Sequence, residues 1–162
     1  MVHNGTHWIG VHPARANTFV KAAIDQGYLF SDRSTDGWES EVPYGDGSRI
    51  DWLHRAQHPS LYVEVKSVSY AEDGRGWFPD AVSARATKHM QALQAMVDAG
   101  HDAVVLYCIQ RGDVTHVSPA RHIDPAYADA VAMASGVKTM VLPLTMQPDG
   151  VYMRGVFNGG SV

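Results

Sequence analysis

Ser48-Arg49-Ile50-Asp51-Trp52-Leu53 and Tyr62-Val63-Glu64-Val65-Lys66-Ser67-Val68 read as two β-strands, joined by a loop that contains Pro59. Side chains alternate along a strand, so Glu64 and Lys66 point to one face. Leu61, Tyr62, Val63, Val65 and Val68 surround them, which marks this strand as central. Charged groups on a largely buried strand are costly unless paired or metal-bound. A hairpin that sets Asp51 beside Glu64 presents two hard oxygen ligands to a divalent cation, with the Lys66 ammonium close by. That is the working end of a metal-dependent phosphodiesterase. The same spacing also fits a solvated hairpin in which Asp51 pairs with Arg49 or Arg55 and Lys66 pairs with Glu64.

Working outward, Trp8-Ile9-Gly10-Val11 reads as a short strand, and 14–26 as a helix with Phe19, Val20, Ala23 and Ile24 on one side and Gly27 as its stop. Residues 31–37 read as a polar loop, 39–44 as an extended segment and Gly45-Asp46-Gly47 as a turn. The two central strands are expected over 49–54 and 60–70. The stretch 72–76 is expected to be a mobile polar loop at the mouth of the site. The clearest helix is 83–99, with Met90, Leu93, Met96 and Val97 as its stripe and Gly100 as its end. Residues 103–110 form a wholly apolar strand, as in a sheet covered on both faces. A helix over 125–135, a strand over 138–146, an edge over 151–154 and a frayed tail over 158–162 complete the pattern. Helix, strands, helix, strand, helix, strand implies an α/β fold around a mixed sheet, as one domain spanning 1–162.

With 45% hydrophobic and 19% charged residues the composition is that of an ordinary globular protein. No segment reaches the roughly 20 apolar residues of a membrane span, and Met1-Val2-His3-Asn4-Gly5 is too polar to begin a secretion signal. The single Cys108 excludes an internal disulfide and suits a cytoplasmic location. It lies in an apolar strand, which makes it a core thiol rather than a nucleophile. The net charge of −4 implies weak non-specific affinity for nucleic acid. The histidines other than His89 lack paired metal spacing, and with one cysteine a structural zinc site is not expected. Trp38, Trp52 and Trp77 are stacking candidates, Trp77 foremost because it adjoins the 72–76 loop.

Tyr44-Gly45, the two strand segments above, Phe78-Pro79-Asp80-Ala81, Arg85, Lys88-His89, Gly100-His101, Ile109-Gln110-Arg111, Ile123-Asp124-Pro125 and Tyr127-Ala128 occur in that order. The chain thereby resembles the sugar fermentation stimulation protein A family, from about Trp8 to about Val151. The family's C-terminal domain is similar to PD-(D/E)XK nucleases, of restriction-endonuclease-like fold. Two departures stand out. Members usually begin with an OB-like barrel, for which this chain has no room, and the family's Arg-Gly pair after Phe-Pro-Asp is Arg85-Ala86 here.

The resemblance implies a Mg²⁺- or Mn²⁺-dependent nuclease acting on DNA or RNA, with Asp51 and Glu64 as metal ligands and Lys66 assisting the water or the phosphate. Glu41 is placed to bind a second metal or a metal-associated water, or to be a solvated loop glutamate. Arg85, Lys88 and His89 share one face of the 83–99 helix. Arg85 is expected to face the scissile phosphate, and His89 to bind phosphate or serve as leaving-group acid; a solvated basic helix face is the alternative. Asp80 is expected to cap this helix, pair with Arg85 or face the metal. A homo-oligomer or a partner is the expected substitute for the barrel. The rival function is a non-catalytic nucleic-acid-binding or regulatory protein.

Overall fold

Alternation along Asp102–Ile109 organises the whole molecule. Ala103, Val105, Tyr107 and Ile109 enter one core, and Val104, Leu106 and Cys108 enter the other. A strand buried on both faces belongs in the middle of a covered sheet, and that is its place in the computed structural model, which describes residues 1–45, 47–114 and 116–158. In chain order the strands are β1 (Val2–His3), β2 (Trp8–Ile9), β3 (Trp38–Tyr44), β4 (Ser48–His54), β5 (Leu61–Val68), β6 (Ala71–Glu72), β7 (Arg75–Phe78), β8 (Asp102–Ile109), β9 (His116–Pro119), β10 (Lys138–Gln147), β11 (Gly150–Met153) and β12 (Phe157–Asn158). The helices are α1 (Arg15–Asp25), α2 (Ala84–Asp98) and α3 (Pro125–Met133).

The main sheet runs β1-β2-β10-β8-β5-β4-β3, with β11 and β12 also paired to β10. β5, β8 and β10 are parallel, and β3 and β4 are antiparallel neighbours at the far edge. The α1 stripe Ala16, Phe19, Val20, Ala23 and Ile24 covers one face, and α2 with α3 covers the other. Among the described residues no helix is long and apolar enough to cross a membrane.

β4 parts from β5 at the point that matters. Their ladder holds Trp52↔Val63, Leu53↔Tyr62 and His54↔Leu61, and goes no further. Beyond it, the Val65 N–H donates to the Asp51 Oδ2 at 2.7 Å instead of to a ladder carbonyl. The β3–β4 register likewise omits the pair Glu41 and Asp51, and Glu41 has φ 55°, a conformation that non-glycine residues adopt at a cost. Ile50 joins the α2 core and Trp52 the α1 core, although residues two apart on a regular strand share a face. The strand turns over at Asp51.

Three expectations are corrected. The stretch 72–76 is a hairpin rather than a mobile loop: Asp73 and Gly74 have φ 49° and 75° between β6 and β7, and β7 pairs with β9 in a second, three-stranded sheet. Asp-Gly at the two turn positions is a strong hairpin signal, masked here by the charges of Glu72, Asp73 and Arg75. Asp80 is exposed and does not cap α2. Ser83 does, accepting from the Ala86 N–H at 3.2 Å, while Asp124 accepts from the Ser83 N–H at 2.8 Å. Of the expected tail, Asn158 pairs with β10 as the end of β12, and 159–162 lie outside the described residues, as does Asp46 of the expected turn.

Candidate functional site

Glu64 and Lys66 leave β5 on the α2 side, and both are buried. The Lys66 Nζ donates to the Glu64 Oε1 at 2.8 Å, and the His89 Nδ1 makes a short contact with that same oxygen. The Arg85 Nε donates to the His89 Nε2 at 3.4 Å. That acceptor role puts the imidazole proton on Nδ1, facing Glu64. A chain therefore runs from Arg85 through His89 to Glu64, with Lys66 closing it from the other side. The Lys66 ammonium also lies 5.8 Å from the Phe78 ring centroid. Glu64 Oε1 accepts two donors, whereas its buried Oε2 has no partner among the described residues.

Asp51 approaches from the other side of the opened strand pair. Its Oδ1 accepts from the Asn17 Nδ2 at 2.7 Å and its Oδ2 from the Val65 N–H. Neither Arg49 nor Arg55 pairs with it: Arg49 donates to the Glu41 carbonyl and Arg55 meets Glu39. Burial and the negative charge of Glu64 hold the Asp51 carboxyl above its ordinary value, against the lowering pull of Val65, Asn17 and Lys66. Burial would also raise Glu64, but the His89 bond and the Lys66 charge more than offset it and hold that carboxyl low. Tyr44 brings a further buried hydroxyl without a partner among the described residues, its acidity suppressed by burial and then by Glu64 and Asp51.

Arg85 and Lys88 are exposed, whereas His89 turns under the helix into the buried network. The three still line one cleft of about 510 Å³ with Glu41 and Arg49. A second cleft, about 380 Å³, is lined by Asn17, Lys21, Glu41, Asp51 and Trp52. The exposed Glu41 thus borders both clefts rather than joining the buried cluster. Trp77 is a poor stacking platform as it stands: the Arg75 guanidinium lies 5.8 Å from its ring centroid and His122 meets it edge-on at 5.0 Å. Burial raises the Cys108 thiol to about 12, in keeping with a core residue.

Sequence reasoning missed Asn17. Its signal was a polar residue on an apolar stripe: 17, 20 and 24 follow helical spacing, and Val20 and Ile24 are core.

The donors fit a small divalent cation. Glu64 Oε2 is a buried carboxylate oxygen with no partner among the described residues, and the negative charge of Glu64 that, after burial, lifts Asp51 is what a cation would offset. Among the described residues no three His, Cys, Asp or Glu converge as a ready-made cage. Two carboxylates with the remaining positions left to water or substrate suit Mg²⁺ better than a full protein cage would.

A mixed sheet with helices on both faces, opened between β4 and β5 at an acidic residue, defines the class: a restriction-endonuclease-like α/β fold. The chain belongs to the sugar fermentation stimulation protein family, its residues 14–150 matching the family's "Sugar fermentation stimulation protein RE domain". A sugar fermentation stimulation protein homolog of Shewanella baltica (strain OS155) is 44% identical over 149 residues, 90% of this chain and 64% of the relative. The homolog of Shewanella sp. (strain ANA-3) is 46% identical over the same shares. Pyrococcus furiosus SfsA, solved in complex with Ca²⁺, superposes with a TM-score of 0.77 over 89% of this chain and 64% of that one. Its 24% identity makes this a likeness of fold. The chain spans 64% of the length of these relatives.

Proposed function

We propose that the domain is a Mg²⁺- or Mn²⁺-dependent nuclease that hydrolyses phosphodiester bonds in DNA or RNA. The observation that carries this reading is the buried, unpartnered Glu64 Oε2 across the opened strand pair from Asp51. When bound there, a divalent cation supplies positive charge that polarises a phosphodiester and makes water more acidic. Asp51 and Glu64 would hold it. Lys66, fixed by Glu64 Oε1, keeps an ammonium beside the reacting phosphate, where it donates to the attacking water or to a non-bridging oxygen as charge develops. His89, bonded to Glu64 Oε1, would keep that carboxylate in one orientation, so that Oε2 is the oxygen presented. Arg85, Lys88 and Arg49 attract the phosphate into the cleft they line. Water oxygen bonds to phosphorus as the bond to the leaving oxygen breaks; the proton that the attacking water loses passes to solvent, and solvent returns one to the leaving oxygen.

The test is incubation of the purified protein with labelled single- and double-stranded DNA and RNA in Mg²⁺, Mn²⁺ or EDTA. Cleavage that requires the cation and disappears in Glu64→Gln supports the reading. Binding without cleavage under every condition favours a regulatory nucleic-acid-binding protein instead.

A further inference from the structure

We infer that Tyr44 is a positioning residue of the proposed cation site: its hydroxyl donates to the second lone pair of Glu64 Oε2 when a cation takes the first. The inference rests on the reading above and adds a residue to it.

Tyr44 is the last residue of β3, paired with Ser48 at the start of β4. Its side chain enters the core beneath α2, with its ring centroid 5.9 Å from that of Tyr62. Tyr62 stands two residues before Glu64 on β5, so those two side chains leave the sheet on one face. Tyr44 is 8% exposed and lines neither of the clefts that Glu41 borders. Its hydroxyl is thus set among buried groups rather than where a nucleic acid enters. After burial, Glu64 is the charge that acts on it most, ahead of Asp51. Held above its ordinary value, the hydroxyl stays protonated at neutral pH and is available as a donor.

The lone-pair count points to Glu64 as its partner. A carboxylate offers about four acceptor positions, two on each oxygen. Lys66 and His89 take both on Glu64 Oε1. Neither position on Oε2 is taken among the described residues. Asp51, by contrast, already has a donor on each oxygen, Asn17 on one and the Val65 N–H on the other. A cation held through Oε2 uses one of its positions and leaves the second. The Tyr44 hydroxyl is the complementary group, a buried donor that also lacks a partner among the described residues. The two do not bond to each other in this structure; hydrogen bonds in unloaded sites are often long and tighten on loading. A donor to a ligating carboxylate holds it in its ligating orientation. Lys66 and His89 fix one oxygen of Glu64, and Tyr44 fixes the other.

The experiment is calorimetric Mn²⁺ titration and cation-free thermal unfolding of the wild-type protein, Tyr44→Phe and Tyr62→Phe. Tyr44→Phe keeps the ring and removes only the hydroxyl. Its Mn²⁺ affinity should fall by roughly tenfold, the lower end of what outer partners of metal ligands contribute. Its cation-free midpoint should stay in place or rise, because a buried hydroxyl without a partner costs stability. Tyr62→Phe removes a hydroxyl from the neighbouring ring and should leave the affinity unchanged. An unchanged affinity in Tyr44→Phe overturns the inference, and so does an equal loss in both variants. A lowered cation-free midpoint in Tyr44→Phe overturns it as well, since the hydroxyl would then have its partner without any cation. A wild-type protein that binds no Mn²⁺ refutes the cation site itself, and the inference falls with it.

Discussion

Charge gathers at two places along the parallel strands, and the two are built differently. At the start of β8, Asp102 takes Arg33 at 2.7 Å and lies 3.8 Å from Lys138, while Arg33 also donates to the Pro59 carbonyl. This cluster borders a cavity of about 680 Å³, larger than either cleft that Glu41 borders. Yet its charges meet complementary groups. Further along β5, Glu64, Lys66 and His89 are far more buried, and the partners are unevenly shared: one carboxylate oxygen takes two donors and the other has none among the described residues. Desolvating a charged oxygen without a partner is costly, so the smaller site is the one that a ligand would stabilise. Room for a ligand and need for one are separate properties.

The largest expected effect falls on turnover. Lys66→Ala should lower cleavage by roughly 10²–10⁴-fold, the range for a positioned proton-transfer group, while retaining Mn²⁺ affinity; parallel cleavage assays and titrations check both. Full activity in that variant would remove Lys66 from the chemistry. Next, His89→Phe fills the space but leaves Glu64 Oε1 without its imidazole donor. Mn²⁺ affinity should fall by about 10–100-fold, and Mn²⁺ electron paramagnetic resonance measures it directly. An unchanged affinity would mean that Lys66 alone orients the carboxylate.

A third expectation concerns pH in the cation-free protein. The folded Asp51 carboxyl sits above its ordinary value, so its contribution to stability is present below that value and is lost as pH rises through the raised one. Glu64, held low, acts in the opposite sense: its contribution is present above the ordinary carboxylate range and lost as pH falls through the folded value. Thermal unfolding of wild type and Asp51→Ala from about pH 3 to 7 should show the variant gaining on wild type as pH rises. Parallel curves would disprove the coupling. The smallest effect belongs to the Asp102 end. Lys138 is mostly exposed, so Lys138→Ala should cost under about 1 kcal/mol, leaving cleavage unchanged.

Only the β5 half of this contrast was legible in the sequence; the Asp102 cluster was not. Short strand-like runs between turn signals located β4 and β5, an unbroken apolar run located β8, and the apolar neighbours of Glu64 and Lys66 marked the central strand. The turnover of β4 at Asp51 was not legible, because it depends on the Val65 N–H leaving its ladder partner for a carboxylate, a choice made in three dimensions. The burial of His89 escaped for a related reason. Helical spacing puts it beside Arg85 and Lys88, but it equally joins Ala86, Met90 and Leu93 on the inner face, and only the position of Glu64 beneath α2 decides between them. Asn17 was passed over because a polar residue on an amphipathic helix is unremarkable until its partner is known. Asp73-Gly74 was readable and was misread, its charges taken for a loop.

The most direct test of the central claim is calorimetric Mn²⁺ titration of wild type, Glu64→Gln and Asp102→Asn. Tight binding at the Asp51–Glu64 site in wild type, its loss in Glu64→Gln and its retention in Asp102→Asn are the predicted results. The same isotherm in wild type and Glu64→Gln would contradict the account, and loss confined to Asp102→Asn would move the cation to the other end of the sheet.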